Sequence, residues 1–137
     1  MNINYVLSKM SANEKDAIIG VIFKTYRSIQ SSLDKISDVM KSDLVADGIV
    51  DLVCTEFSTD KEAVYSERRH KHLNEARTLI MYFLRVDLDW KFQDIGYKLN
   101  RDHSSVVAGV KRAKDWLKYD KVFIQKYKNV KKNMQNT

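Results

Sequence analysis

Not one proline occurs in these 137 residues, where ordinary usage would supply about seven. Glycine, the other common breaker of regular structure, appears only four times. A chain with so little punctuation cannot make the frequent tight turns of a β-sandwich or a loop-rich scaffold, and the expectation is an all-α fold. Its length suits one domain, or one domain with a helical extension. At 44% apolar and 31% charged residues it can build a core, which excludes a disordered or low-complexity chain. The single cysteine, Cys54, rules out an intramolecular disulfide framework and suggests a reducing compartment. The apolar runs Ala17–Phe23 and Thr78–Leu84 are too short to span a bilayer, so no membrane partner and no secretory leader are expected. The expected location is cytoplasmic.

Charge is unevenly placed. Residues 1–60 carry six Lys/Arg against nine Asp/Glu, and residues 61–137 carry eighteen against nine, within a net charge of +6. This asymmetry fits an acidic front section followed by a basic module that meets a polyanion, although a solvated basic face would look the same.

Local patterns divide the chain. Ser11-Ala12-Asn13-Glu14 has capping-box spacing and opens a long amphipathic helix over residues 12–41. Its stripe is Ile18, Ile22, Ile29, Leu33, Ile36 and Met40, a packing surface for the downstream domain, a protein partner or a second copy. A second helix is expected over residues 44–57, ended by Ser58-Thr59-Asp60, with a short helix through Ala63 and Val64. Residues 66–72 contain no apolar side chain and read as an exposed basic loop. From Asn74 to Asp87 the apolar period returns, placing Arg77 and Arg85 on the outer face of a core helix. Trp90–Leu99 follows as a short helix. Asn100-Arg101 is a tight turn, since Asn tolerates the left-handed conformation that ends helices. Asp102 then caps a longer helix through about Lys118, with Val106, Val110, Ala113 and Leu117 inward. Ser104, Ala108, Lys111 and Arg112 lie on its opposite face. Two helices joined by so short a turn, the second basic outside, make a helix-turn-helix. A last helix from Asp120 runs into Lys131-Lys132. The expected organisation is therefore an N-terminal amphipathic helical segment (1–43), a helix-turn-helix domain (44–119) and a basic C-terminal helical extension (120–137).

The string Leu99-Asn100-Arg101-Asp102-His103-Ser104-Ser105-Val106, following Ile95-Gly96, resembles the signature of the C-terminal DNA-binding domain of DnaA, the bacterial chromosomal replication initiator. There the motif usually reads Phe-Gly-Gly-Arg-Asp-His-Thr-Thr-Val. Similarity extends upstream through Val53, Phe57, Val64-Tyr65-Ser66, Arg68-Arg69, Ala76-Arg77, Met81-Tyr82 and Leu84-Arg85, and covers about residues 49–118. The resemblance implies a recognition helix in the major groove of double-stranded DNA, a DnaA-box-like site being a candidate. On it Asp102, His103, Ser104 and Ser105 would face base edges, with Arg101 just before them. It implies that Arg69 enters the neighbouring minor groove and that Arg77 and Arg85 touch the backbone. Lys111 and Arg112, from their place on the outer face, are further phosphate candidates. Three departures alter the expected DNA sequence but not the class of ligand. Asn100 stands for Gly-Gly with one residue fewer, Ser104 and Ser105 replace two threonines, and Glu67 sits where lysine is common.

The sequence holds no Gly-x-x-x-x-Gly-Lys-Ser/Thr loop, so the initiator's ATPase module is not expected. His103 alone would read as a surface or capping histidine; inside Arg-Asp-His-Ser-Ser it reads as a DNA contact. His70 and His72 alternate in a loop, which seldom makes a tetrahedral zinc site, and Cys54 falls on an apolar face; no metal, no cofactor and no enzyme activity are expected. Trp90, Trp116 and Tyr82 read as packing residues. The expected function is sequence-specific DNA binding in replication initiation or transcription, in association with the nucleoid. The alternative is a helical protein-interaction module, using residues 12–41, with only non-specific DNA affinity.

Overall fold

The computed structural model describes residues 3–135. Among them lie the helices α1 (Ile3–Ser8), α2 (Ala12–Glu56), α3 (Lys61–Tyr65), α4 (Lys71–Val86), α5 (Phe92–Leu99), α6 (His103–Tyr119) and α7 (Lys121–Gln135), and no strand. The expected all-α class, with its helix-turn-helix, is what forms. The residues fall into two compact units that divide between Lys41 and Ser42.

The first unit holds α1 and the N-terminal part of α2. The Ser11 hydroxyl accepts from the Glu14 amide at 3.3 Å, so the serine half of the expected capping box is in place. The apolar side chains beyond it face solvent: Ile22, Ile29, Leu33, Ile36 and Met40 are all more than half exposed.

Residues 12–41 and 44–57 are not separate helices, because α2 runs unbroken for 45 residues. The side chains of Ser42 and Asp43, at the expected division, bond to other elements. The Ser42 hydroxyl accepts from Trp90 Nε1 at 2.8 Å, and the Asp43 carboxylate pairs with Lys98 Nζ at 2.9 Å. With those groups satisfied by side chains from beyond α4, and with no proline to interrupt the ladder, the helix continues.

The second unit is built around α4, which is buried on most of its circumference. Leu73, Ala76, Leu79, Ile80, Phe83 and Leu84 meet Ile49, Val50 and Val53 of α2, Val64 of α3, Ile95 and Leu99 of α5, and Val106, Val110 and Ala113 of α6 in one core. Phe123 and Val130 of α7 also enter it, and Tyr127 stacks on Phe83 with ring centroids 5.3 Å apart. Trp116 meets Phe123 edge-to-face at 5.2 Å. The α7 helix is tied further by Asn129 Nδ2 donating to Glu56 Oε1 at 2.8 Å and by Lys131 pairing with Asp87 at 3.0 Å. Asp60 caps α3, accepting from the Ala63 amide at 2.7 Å.

Cys54 sits in this core at 5% exposure, as its apolar spacing implies. Burial, with the charges of Asp51 and Asp60 adding to it, pushes its thiol up to about 11. Only the thiolate attacks, so the native protein is expected to react with iodoacetamide at pH 8 at least about tenfold more slowly than the urea-unfolded chain. Equal rates would contradict the buried placement. The fold favours the neutral thiol, so this contribution to stability is complete at neutral pH. It is lost as pH rises from the ordinary thiol value towards 11.

Candidate nucleic-acid interface

The helix-turn-helix depends on one left-handed residue. Helix α5 ends at Leu99, and Asn100 takes φ 55° and ψ 48°, which an asparagine tolerates better than most side chains. The Arg101 amide then donates back to the Gly96 carbonyl at 2.8 Å, closing the turn over the last residues of α5. The turn packs so closely that a Cβ on Gly96 would lie 2.5 Å from the Arg101 carbonyl oxygen. Only glycine fits at 96.

Asp102 follows as the N-cap of α6, its Oδ1 accepting from the Ser105 amide at 2.7 Å. Hydrogen bonds from Ser105, through its side chain and backbone, hold the Asp102 carboxyl below its ordinary value. The cap is therefore complete at neutral pH and is lost only as acid takes the medium down through that lowered value. Asp102, His103, Ser104 and Ser105 are all exposed, at the N-terminal end of a 17-residue helix whose free amides favour an anion. His103 lies edge-on to the Phe92 ring at 5.8 Å, which sets its orientation. Val106, Gly109, Val110 and Ala113 form the buried side of α6, while Ser104, Ala108, Lys111 and Arg112 face outward.

Arg77 is the main departure from the sequence reading. The period put it on an outer face, but it is only 5% exposed, because α4 is packed on nearly every side. Its Nε donates to the Val64 carbonyl at 2.7 Å and its Nη1 to the Arg68 carbonyl at 2.6 Å. Its Nη2 donates to the Ala63 and Ser66 carbonyls, both at 2.9 Å. These are backbone groups of the α3 C-terminus and of the loop after it, where helical hydrogen bonding runs out; the Ala63 carbonyl is also met by the Ser66 amide and hydroxyl. Burial, together with the nearby Arg101 charge, lowers the Arg77 pKa. A guanidinium spent on four carbonyls is not presented to a phosphate.

Arg101 works on the same loop from the other side. It donates to the Asn100 carbonyl at 2.9 Å and makes a short bond to the Ser66 carbonyl, which Arg77 also uses. One backbone oxygen thus joins the basic loop to the turn of the helix-turn-helix. Arg85 is also engaged: it is partly buried, its Nη1 donates to the Trp90 carbonyl at 2.9 Å, and its guanidinium lies 4.1 Å from the Phe92 ring centre. Arg85 thus keeps part of its surface outward while its guanidinium closes the α4–α5 connection.

Between the loop and α6 lies an open concavity of about 1050 Å³. Arg69, Arg101, Asp102, Ser104, Ser105 and Arg112 from the sequence reading line it, joined by Lys71 and Asn74 at the start of α4, while Arg77 contributes only its small exposed edge. His103 and Lys111 are exposed but lie outside its wall, as does the partly buried Arg85. Arg112 leans over the Trp116 ring at 5.9 Å and reaches Thr78 Oγ1 at 3.4 Å. Arginines and Lys71 outnumber the acidic Glu67 and Asp102 around the concavity, so its field favours a polyanion.

Comparison with known proteins decides the family. Residues 46–113 match the family described as "Bacterial dnaA protein helix-turn-helix". Those residues form a DnaA-type helix-turn-helix domain. Among curated relatives, the chromosomal replication initiator protein DnaA of Lachnoclostridium phytofermentans is 29% identical over 118 residues, which is 85% of this chain and 24% of that protein. The same-named protein of Mycoplasma pneumoniae is 36% identical over 72 residues, 53% of this chain and 16% of its own length. That of Bacteroides fragilis is 28% identical over 96 residues, 66% and 20% respectively. The chain spans less than a quarter of these relatives, and a DnaA-type domain implies double-stranded DNA as its ligand. Within the DnaA-type domain, Gly109 and Lys71 went unremarked in the sequence reading. Gly109 lets α4 and α6 approach until a Cβ there would clash with Met81 Sδ. No helix among the described residues is long and apolar enough to cross a membrane.

Proposed function

We propose that this protein binds double-stranded DNA sequence-specifically, in replication initiation or its regulation, with transcriptional control as a related outcome. The observation that carries this reading is the capped, exposed start of α6 standing beside a basic loop that the turn itself holds in place. Asp102, His103, Ser104 and Ser105 would meet base edges in the major groove, and Arg69 the adjacent minor groove. Lys111 and Arg112 would contact phosphates on one side, and Lys71 on the other. Arg77, Arg85 and Arg101 are assigned to holding these groups in register. The site of action is DNA of the nucleoid. No catalytic role is proposed, because the similarity falls on the helix-turn-helix region of the DnaA proteins. The exposed apolar side chains of residues 12–41 offer a protein-binding face, but they do not explain a basic concavity at the start of α6.

Fluorescence anisotropy with single substitutions tests the assignment. His103→Ala should cost about 1–3 kcal/mol on the preferred duplex and much less on a scrambled one. Lys111→Ala should weaken both duplexes about equally and reduce the salt slope by roughly one ion. A uniform loss for His103→Ala would overturn its role as a reader of bases.

A further inference from the structure

The first unit presents a pattern that a single chain does not use. Along α2, Ile19, Ile22, Tyr26, Ile29, Leu33, Ile36 and Met40 follow one another at alternating spacings of three and four residues. This is the a/d register of a coiled coil, sustained over three heptads, with Ile22, Ile29 and Ile36 at one position and Tyr26, Leu33 and Met40 at the other. Every one of the seven is at least 45% exposed. Apolar side chains at this period, left in water, are unusual for a monomer.

Three features indicate what covers the seam. The flanking positions most often charged in coiled coils are here Phe23, Thr25, Gln30, Ser32, Ser37 and Val39, with no ionisable group. An identical helix therefore meets no like-charge repulsion, whereas a hetero-partner selected by charge would find nothing to read. The charged residues of the segment, among them Lys24, Asp34 and Asp38, fall on the far side of the heptad. Seven large side chains at roughly 100 Å² each come close to the ~800 Å² per partner of a stable interface.

We infer that this face of α2 is a self-association seam, and that its occupant is the same face of a second copy of this chain. Pairing would place two DnaA-type domains on one assembly and let it engage two DNA sites at once, raising avidity without any new DNA contact. The inference does not depend on the DNA assignment, because its primary readout is mass.

Sedimentation equilibrium of the full chain without DNA tests it. The expected mass is at least twice 16.0 kDa, unchanged or increased in high salt because the seam is apolar. The double substitution Ile29→Asp/Leu33→Asp should weaken association at least about a hundredfold and return the mass to 16.0 kDa, with the thermal transition of the second unit retained. Ser31→Asp, on the far side of the same helix, should leave the mass as in the wild type. A wild-type protein that stays monomeric at all concentrations would overturn the inference. So would association that survives Ile29→Asp/Leu33→Asp, since another surface would then be responsible.

Discussion

Replacing Arg77 with alanine is expected to destabilise the second unit by about 2–4 kcal/mol, a large share of the 5–15 kcal/mol that holds an ordinary domain together. Four carbonyls, of Ala63, Val64, Ser66 and Arg68, take their hydrogen bonds from one guanidinium. Bonds to a charged donor are worth more than neutral ones, and although Ser66 and Arg101 also donate to the Ala63 and Ser66 carbonyls, the Val64 carbonyl would lose its donor in a buried setting. Arg77→Lys should recover only part of the loss, because an ammonium cannot spread its donors over four acceptors. Urea unfolding of the three proteins would measure the order wild type, Arg77→Lys, Arg77→Ala. A loss below about 1 kcal/mol for Arg77→Ala would return the residue to the surface role that its period suggested. The salt dependence of DNA binding supplies an independent check. A lost phosphate contact lowers the slope by about one, whereas a loosened loop weakens binding by releasing Arg69.

The second large effect is expected at Gly96. Alanine should gain up to about 1 kcal/mol of helix propensity in an exposed helix interior. Here the new methyl would meet the Arg101 carbonyl oxygen at 2.5 Å, and that oxygen belongs to backbone rather than to a side chain that could swing aside. Either α5 or the turn must move, and the bond from the Arg101 amide to the Gly96 carbonyl is broken or stretched. The expected cost is about 2–4 kcal/mol, with a matching loss of DNA binding because Asp102 and His103 follow directly on the displaced turn. Thermal unfolding of Gly96→Ala measures the first effect and anisotropy the second. A variant as stable as the wild type would show that the turn can relax around a methyl group.

These two residues also show where sequence reasoning succeeds and where it stops. The turn was legible because its determinants are local. Asn100 ends a helix by its own backbone preference, Asp102 caps the next by reaching three residues on, and Ile95-Gly96 stands at a motif's interval from both. Asp60 was legible for the same reason. Arg77 was not, because periodicity assumes that a helix has one wet face, and α4 is surrounded by α3, α5 and α6. The break expected near Ser42 failed similarly. Ser42 and Asp43 bond instead to Trp90 and Lys98, partners some fifty residues away that no local pattern displays. The candidate reader residues at the start of α6 come from the resemblance alone, whereas the bonds tying Arg69's loop to the turn join residues 35 apart and leave no local pattern.

The central claim is that the start of α6 and the basic loop together read a DNA sequence. The most direct measurement is the affinity of the wild-type protein for a duplex carrying a DnaA box against a scrambled duplex of equal length, at two salt concentrations. A preference that persists at the higher salt is predicted, because phosphate contacts weaken on both duplexes alike while base contacts distinguish them. Equal affinities for the two duplexes, falling together as salt rises, would contradict it.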